Sequence, residues 1–342
     1  MPYELDSRLV IGLASSALFD LEASDRVYRD EGEEAYREYQ REHEDLALAP
    51  GVAFAFIRKL LSLNDLNPDD PLVEVVLLSR NDPDTGLRVM RSIEHHRLGI
   101  TRAIFLQGRY PHRFIPAFNI SLFLSANQED VDRAIAAGYP AGRVMPAGAL
   151  LADEREELHI AFDFDGVLAS AASETIFQDQ GLTAFHEHER RHAEEPSAPG
   201  LLAELARCLA RIQQRELAEQ DASAGDYQPR LRVSIVTARN APAHERVIHT
   251  LRDWGMTVNE AYFLGGIAKH HVLGIIRPDI FFDDQSSHLA DTSDILPSVH
   301  VPVGRLNVPM APSHEIGSTQ RSSTQGPPAT ARERSEDFDD PI

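Results

Sequence analysis

The stretch His159-Ile160-Ala161-Phe162-Asp163-Phe164-Asp165-Gly166-Val167-Leu168 decides how the rest of the chain is read. Ile160, Ala161 and Phe162 make a short apolar run with the character of a buried strand. Two carboxylates, Asp163 and Asp165, follow at once and precede a glycine. Acids at the end of a core strand are costly unless they hold a cation or take part in chemistry. In extended backbone, residues i and i+2 project to the same side, so both acids can face one site. Gly166 lets the chain turn away from it. The bland alternative is a polar loop after a core strand, and this motif alone leaves it open.

Three later stretches weigh against that alternative. Arg232-Val233-Ser234-Ile235-Val236-Thr237-Ala238-Arg239-Asn240 is a second apolar run, ending in a hydroxyl. Gly265-Gly266-Ile267-Ala268-Lys269 brings an amine after a glycine pair. Asp279-Ile280-Phe281-Phe282-Asp283-Asp284 is a third apolar run, ending in paired acids. The order is Asp-x-Asp, Thr, Lys, Asp-Asp, with three of the four motifs at the ends of apolar runs. This order resembles the haloacid dehalogenase superfamily of phosphotransferases. The bland reading of Thr237 is a strand end, and that of Lys269 a surface lysine. Their order and spacing with the acids weaken both.

The chain has 342 residues, long enough for two domains, and is 42% hydrophobic and 25% charged, an ordinary globular composition. No apolar run reaches the length of a membrane span, and the N-terminus lacks the regions of a signal peptide. Cys208 is the only cysteine, which excludes an intrachain disulfide and points to the cytoplasm. A formal net charge of −21 repels nucleic acid and argues against a polynucleotide substrate. An anionic small substrate would then need a locally positive site. Lys59 and Lys269 are the only lysines among 33 basic residues, so a lysine in a motif position is less open to accident.

The first half repeats the second. Shifted by 149 residues, Gly32, Ala35, Tyr36, Glu38, Arg41, His43 and Ala49-Pro50-Gly51 fall on Gly181, Ala184, Phe185, Glu187, Arg190, His192 and Ala198-Pro199-Gly200. Val75 to Asn81 mirrors Ser234 to Asn240, and Leu122 to Asn127 mirrors Ile280 to Gln285. A duplicated unit of about 150 residues lies within the usual domain size. The copies are chemically unequal: Ala14 and Ser16 stand for Asp163 and Asp165, Pro111 for Lys269, and Ser125-Ala126 for Asp283-Asp284. If the copies form separate sheets, Ser16 and Ser125 cannot reach a metal held by the second. Arg239 and Asn240 recur as Arg80 and Asn81 in the acid-less copy, so they are expected to build a turn or cap a helix rather than act in the chemistry.

Alternating apolar and helical stretches imply parallel βαβ units, with helices expected at 128–138, 200–217 and 242–254. In such sheets ligands sit at the carboxyl ends of strands, where three of the four motifs fall. The expected fold is α/β: a Rossmann-like parallel sheet with a helical cap, duplicated. Its expected domains are an acid-less copy (1–150), a catalytic copy (151–307) with a cap at about 171–230, and a disordered tail (308–342).

Up to about residue 307 the chain is similar to the cytosolic 5′-nucleotidase I family. The likeness is carried by Ala17 to Asp20, Tyr39-Gln40 with His43-Glu44, Pro50-Gly51, and Leu122 to Ala126 in the first half. In the second half it is carried by Phe185 with Glu187-His188-Glu189, Thr237 to Arg239, Leu251 to Gly255 and Ile280 to Gln285. Animal members read Asp-Gly-Asp where this chain has Asp163-Phe164-Asp165, so both acids are kept. The resemblance implies Mg²⁺-dependent hydrolysis of nucleoside 5′-monophosphates to nucleoside and phosphate. It implies Asp163 as nucleophile and Asp165 as general acid and base. Mg²⁺ would be bound by Asp163, Asp165 (through its carbonyl), Asp283 and Asp284. Phosphate would be held by Thr237, Ala238 and Lys269. On the cap, Phe185, Glu187, His188 and His192 are candidates for contacting the substrate; the same run also reads as a solvated helix face. A nucleotide effector and a homo-oligomer are the further partners left open, with no membrane and no polynucleotide. The rival readings are another phosphatase or phosphotransferase of the superfamily, and a non-enzymatic nucleotide sensor.

Overall fold

The computed structural model describes residues 4–147, 155–223 and 227–303. The junction expected at 150/151 and the tail from 308 lie outside these residues. Among the described residues ten segments, most of them rich in Val, Ile, Leu and Phe, form strands: β1 (Leu9–Leu13), β2 (Val73–Ser79), β3 (Arg102–Phe105), β4 (Leu122–Ser125), β5 (Ala141–Val144), β6 (Leu158–Phe162), β7 (Leu231–Thr237), β8 (Glu260–Phe263), β9 (Ile280–Asp283) and β10 (Ser298–His300). β1, β2, β4, β6 and β9 are buried along their whole length, which explains their continuous apolar runs.

The strands make one sheet in the order β3-β2-β1-β4-β5-β10-β9-β6-β7-β8. Every pairing is parallel except β5 with β10. The protein is thus α/β with a mostly parallel, Rossmann-like sheet. The order on one side of the β5–β10 seam, read outward, is β5-β4-β1-β2-β3; on the other it is β10-β9-β6-β7-β8. The halves do not form separate sheets, which corrects that expectation. Because the seam is antiparallel, the strands of the two halves point opposite ways. Their carboxyl ends therefore open at opposite edges of one sheet, and this separates the crevices.

The helices are α1 (Ser15–Leu18), α2 (Glu22–Glu31), α3 (Glu33–Glu42), α4 (Phe54–Ser62), α5 (Gly86–His95), α6 (Gln128–Ala136), α7 (Ala172–Arg191), α8 (Ala203–Ala222), α9 (His244–Asp253), α10 (Lys269–Ile276) and α11 (Ser286–Thr292). Those expected at 128–138, 200–217 and 242–254 are α6, α8 and α9. Gly32 separates α2 from α3 at φ 89°, ψ −174°, and Gly181 breaks α7 at φ 80°, ψ 178°. A side chain is strained at such φ, so glycine marks the same break in both halves.

Within the stretch read as a cap, α7 and α8 differ. α8 buries Leu205, Ala206, Cys208, Leu209 and Ile212 in the main apolar core and packs on β1. It is a layer of the core, because its apolar stripe has the sheet to cover. α4 of the first half likewise packs on β6 of the second. Among the described residues no helix is long and apolar enough to cross a membrane.

Candidate active site

Asp163 follows the last residue of β6, Thr237 ends β7, Asp283 ends β9, and Lys269 opens α10 just after β8. These parallel neighbours bring the four motifs to one edge of the sheet. Lys269 Nζ lies 2.7 Å from Asp163 Oδ2 and 2.7 Å from Asp283 Oδ2. All three side chains are buried. The backbone fixes the acids further: Asp163 N donates to Phe282 O, Phe164 N to Asp163 Oδ1, and Gln285 N to Asp283 Oδ1.

Burial works against the charge on Lys269, but Asp163 and Asp283 outweigh it and raise its pKa, so the amine stays protonated. Burial raises the Asp163 carboxyl, opposed by Lys269 and assisted by Asp283. Asp283 is lowered: burial would raise it, but Lys269 and His288 prevail. Asp284 is pushed up to about 9 by burial, then by Asp163, Asp283 and Glu174. One lysine therefore does not neutralise the acids gathered here.

A cation fits that imbalance. Asp163, Asp283 and His288 each place a ligand atom within 4.8 Å of the others. Gly166 has φ 76°, and a Cβ there would come within 2.4 Å of Asp284 Oδ2, so glycine is what lets this loop lie against the acid. The carboxylate oxygens are hard donors of the kind that Mg²⁺ takes. His288, five residues after Asp283 in the first turn of α11, was not singled out in the sequence. Following the repeat alignment past its paired acids would have found it opposite Asp130.

Asp165 is placed differently from the other acids. Arg239 Nε and Nη2 donate to its two carboxylate oxygens at 2.6 and 2.7 Å. Nη1 of the same guanidinium donates to Glu189 of α7. Glu189 is fully buried and also accepts from Ser173 Oγ and Arg246 Nη1, with His188 Nδ1 3.0 Å away. Arg239 does hold the turn expected of it, since its Nη1 also donates to Ala243 O ahead of α9, but it does more: it is the buried, bidentate ion-pair partner of Asp165. Its neighbour Asn240 pairs through Oδ1 with His186 Nε2 at 2.9 Å.

The cap candidates disperse. Phe185 is buried, with Arg239 Cζ 5.4 Å from its ring centre. Glu187 is exposed and pairs with Arg191. His188 meets Glu189, and His192 Nδ1 pairs with the His188 carbonyl. Glu174, absent from the sequence reading, accepts from Gln285 Nε2 and ties α7 to the loop after β9. Thr237 Oγ1 accepts from Arg239 N, and Ala238 between them is exposed.

A mostly parallel α/β sheet that presents acids, a lysine and a strand-end hydroxyl in one crevice defines a class of protein suited to handling an anion beside a cation. Within that class the chain belongs to the 5′-nucleotidase family, whose model matches residues 1–308. It is 34% identical over 294 residues to human cytosolic 5′-nucleotidase 1B, covering 84% of this chain and 48% of that protein. The chain therefore spans about half the length of that curated relative. Among solved structures, histidinol dehydrogenase from Elizabethkingia anophelis aligns with a TM-score of 0.20 at 10% identity, over 82% of this chain and 73% of that one. A likeness at that level carries no argument.

Proposed function

We propose that this protein is a cytoplasmic, Mg²⁺-dependent 5′-nucleotidase that hydrolyses nucleoside 5′-monophosphates to nucleoside and phosphate. The observation that carries the reading is Lys269 bridging buried Asp163 and Asp283 at the strand ends, in a chain of the 5′-nucleotidase family.

Asp163 attacks phosphorus, the bond to the ribose 5′-oxygen breaks, and an aspartyl-phosphate forms. Asp165 gives a proton to the departing oxygen, then takes one from the water that hydrolyses the intermediate. Arg239 must release one Asp165 oxygen for this, so Arg239 and Glu189 set where the acid stands. Thr237 Oγ1 and the Ala238 backbone hold phosphate oxygens, and Lys269 offsets charge on the transferring group. Asp163, the Asp165 carbonyl, Asp283 and Asp284 would hold Mg²⁺, with His288 beside Asp283. When bound, the ion would let an anionic nucleophile approach an anionic phosphate.

The same reading takes residues 1–150 as an acid-less copy and 151–307 as the catalytic copy, of superfamily type and related by duplication. The mirrored strand order and the paired breaks at Gly32 and Gly181 support it. α7 serves as the cap over the acids, and Phe185, Glu187, His188 and His192 are its candidates for reading the nucleoside. A small-molecule effector bound away from the acids also belongs to this reading.

The test is phosphate release over a panel of nucleoside monophosphates with Mg²⁺, for wild type and Asp163→Asn. Release from at least one monophosphate, abolished in the variant without a change in thermal stability, is the expected result. Near wild-type release by the variant would remove Asp163 as nucleophile.

A further inference from the structure

The first half holds a cavity of about 540 Å³ where the second half has its acids. Four strand ends line it: Ser15 and Ser16 after β1, Arg80 and Asn81 after β2, Gln107 and Gly108 after β3, and Ala126 and Asn127 after β4. Tyr28 of α2 and Tyr36 of α3 stand over it, edge to face at 5.7 Å. A crevice at the carboxyl ends of parallel strands is where an α/β sheet takes its ligand. The volume suits a small organic molecule.

The lining says which kind. Asn81 Nδ2 is buried and donates to nothing, while its Oδ1 accepts from Tyr36 Oη. Asp130 Oδ1 is buried and accepts no hydrogen bond, with Arg80 Nη1 3.6 Å away. The residues lining the cavity thus include one amide donor without a hydrogen bond and one carboxylate oxygen held only by its ion pair with Arg80. Buried polar groups of this kind are costly unless something pairs with them. A phosphate, which carries acceptors, could serve Asn81 but would face Asp130 with like charge. Asp25, Glu33, Asp82 and Asp130 also outnumber Arg29 and Arg80 around the cavity. Burial already raises the Asp130 carboxyl, so a further anion nearby would add to an existing penalty.

We propose that this cavity binds an unphosphorylated nucleoside, an uncharged ligand whose base can stack on the tyrosines and whose hydroxyl or amide edge can both accept from Asn81 and donate to Asp130. The proposal rests on the nucleotidase reading only in that such a nucleoside is the product of that reaction. It takes the place of the nucleotide effector that the sequence leaves open. The site would sense product at the opposite edge of the sheet from the acids.

The experiment is equilibrium dialysis of labelled nucleosides against wild type, Asn81→Leu and Ser16→Phe. The first variant removes the bare donor and the second fills the floor. Both should weaken one class of nucleoside binding at least tenfold while basal phosphate release stays within about twofold. A nucleoside monophosphate, added to an Asp163→Asn background to prevent hydrolysis, should displace the nucleoside from that site at least tenfold less well than unlabelled nucleoside. Unchanged nucleoside binding in both variants, no nucleoside bound at all, or a monophosphate that competes better than the nucleoside would each overturn the proposal. Thermal melting shows whether either variant is unfolded, and the other then decides. Failure of every monophosphate to release phosphate would sink the nucleotidase reading and leave this binding result standing.

Discussion

The loop after β6 carries Asp163 and Asp165, and the loop after β1 carries Ala14 and Ser16 in the same places. The comparison extends through the site: Asp283 faces His288 in one half, and Ser125 Oγ donates to Asp130 in the other. Where the second half packs acids around a lysine, the first half leaves a cavity. The shared framework therefore does not dictate the chemistry; the side chains at four strand ends do. Arg239 and Arg80 make the point most sharply. Arg239 is locked on Asp165 and Glu189, while Arg80 has Asp130 for a distant partner.

The packing between halves shows the same symmetry with unequal residues. Lys59 of α4 lies 2.7 Å from Asp279, just before β9, and both side chains are buried. At the matching positions Cys208 of α8 meets Ser121, just before β4, at 3.6 Å. Lys59→Met should break the stronger of these contacts and take this ammonium from buried Asp279, which keeps its hydrogen bond from His159 N. The expected cost is about 3–5 kcal/mol in denaturant unfolding. Turnover per folded molecule should be kept. A stability loss no larger than that of Cys208→Ala would mean that the ion pair does not set the packing of the halves.

Removing the two arginines separates their roles. Arg239→Ala should slow turnover about a hundredfold, because Asp165 loses its positioning partner. Arg80→Ala should leave turnover nearly unchanged. Equal losses would place the effect in folding or in a shared pocket, which the opposed strand directions argue against.

A smaller effect is expected at His288. His288→Ala should raise the Mg²⁺ concentration for half-maximal turnover about tenfold, by analogy with residues that orient metal ligands. Asp130→Ala, at the matching position, should not move it. A metal titration that is identical for wild type and His288→Ala would take His288 out of the cation site.

A separate effect is expected on acid stability. Burial lowers the pKa of His159 to about 4, with Glu260 opposing and Arg232 assisting. Its Nε2 lies 2.6 Å from Ser234 Oγ. The unfolded chain takes up this proton from about pH 6.5 downward, and the fold resists it until about pH 4. The stability tied to neutral His159 is thus present above pH 6.5 and is lost as the pH falls through that window. Val10 occupies the matching place in β1. His159→Val should therefore show a shallower fall in melting temperature between pH 7 and pH 4. An unchanged slope would assign the acid sensitivity to other groups.

Much of this was legible in the sequence. The strands ending at Phe162, Thr237 and Asp283 are apolar runs punctuated by polar residues, and the repeat exposed which acids the first half lacks. Three features were not legible. The single sheet depends on β5 pairing with β10 in antiparallel fashion, a contact between two short strands that carries no local signal. The ion pair of Arg239 with Asp165 joins residues 74 positions apart, and the occurrence of Arg80 in the acid-less copy pointed away from it. The role of α8 as a core layer was hidden because an amphipathic stripe fits a lid and a core helix alike.

The central claim is that chemistry resides wholly in the second half and passes through Asp163. The most direct measurement is intact mass followed by peptide mapping of Asp165→Asn, quenched during reaction with a nucleoside monophosphate and Mg²⁺. The account predicts one phosphoryl group, carried by the peptide that contains Asp163. A phosphoryl group on a first-half residue such as Ser16, or substantial turnover with no phosphorylated protein under these trapping conditions, would contradict it.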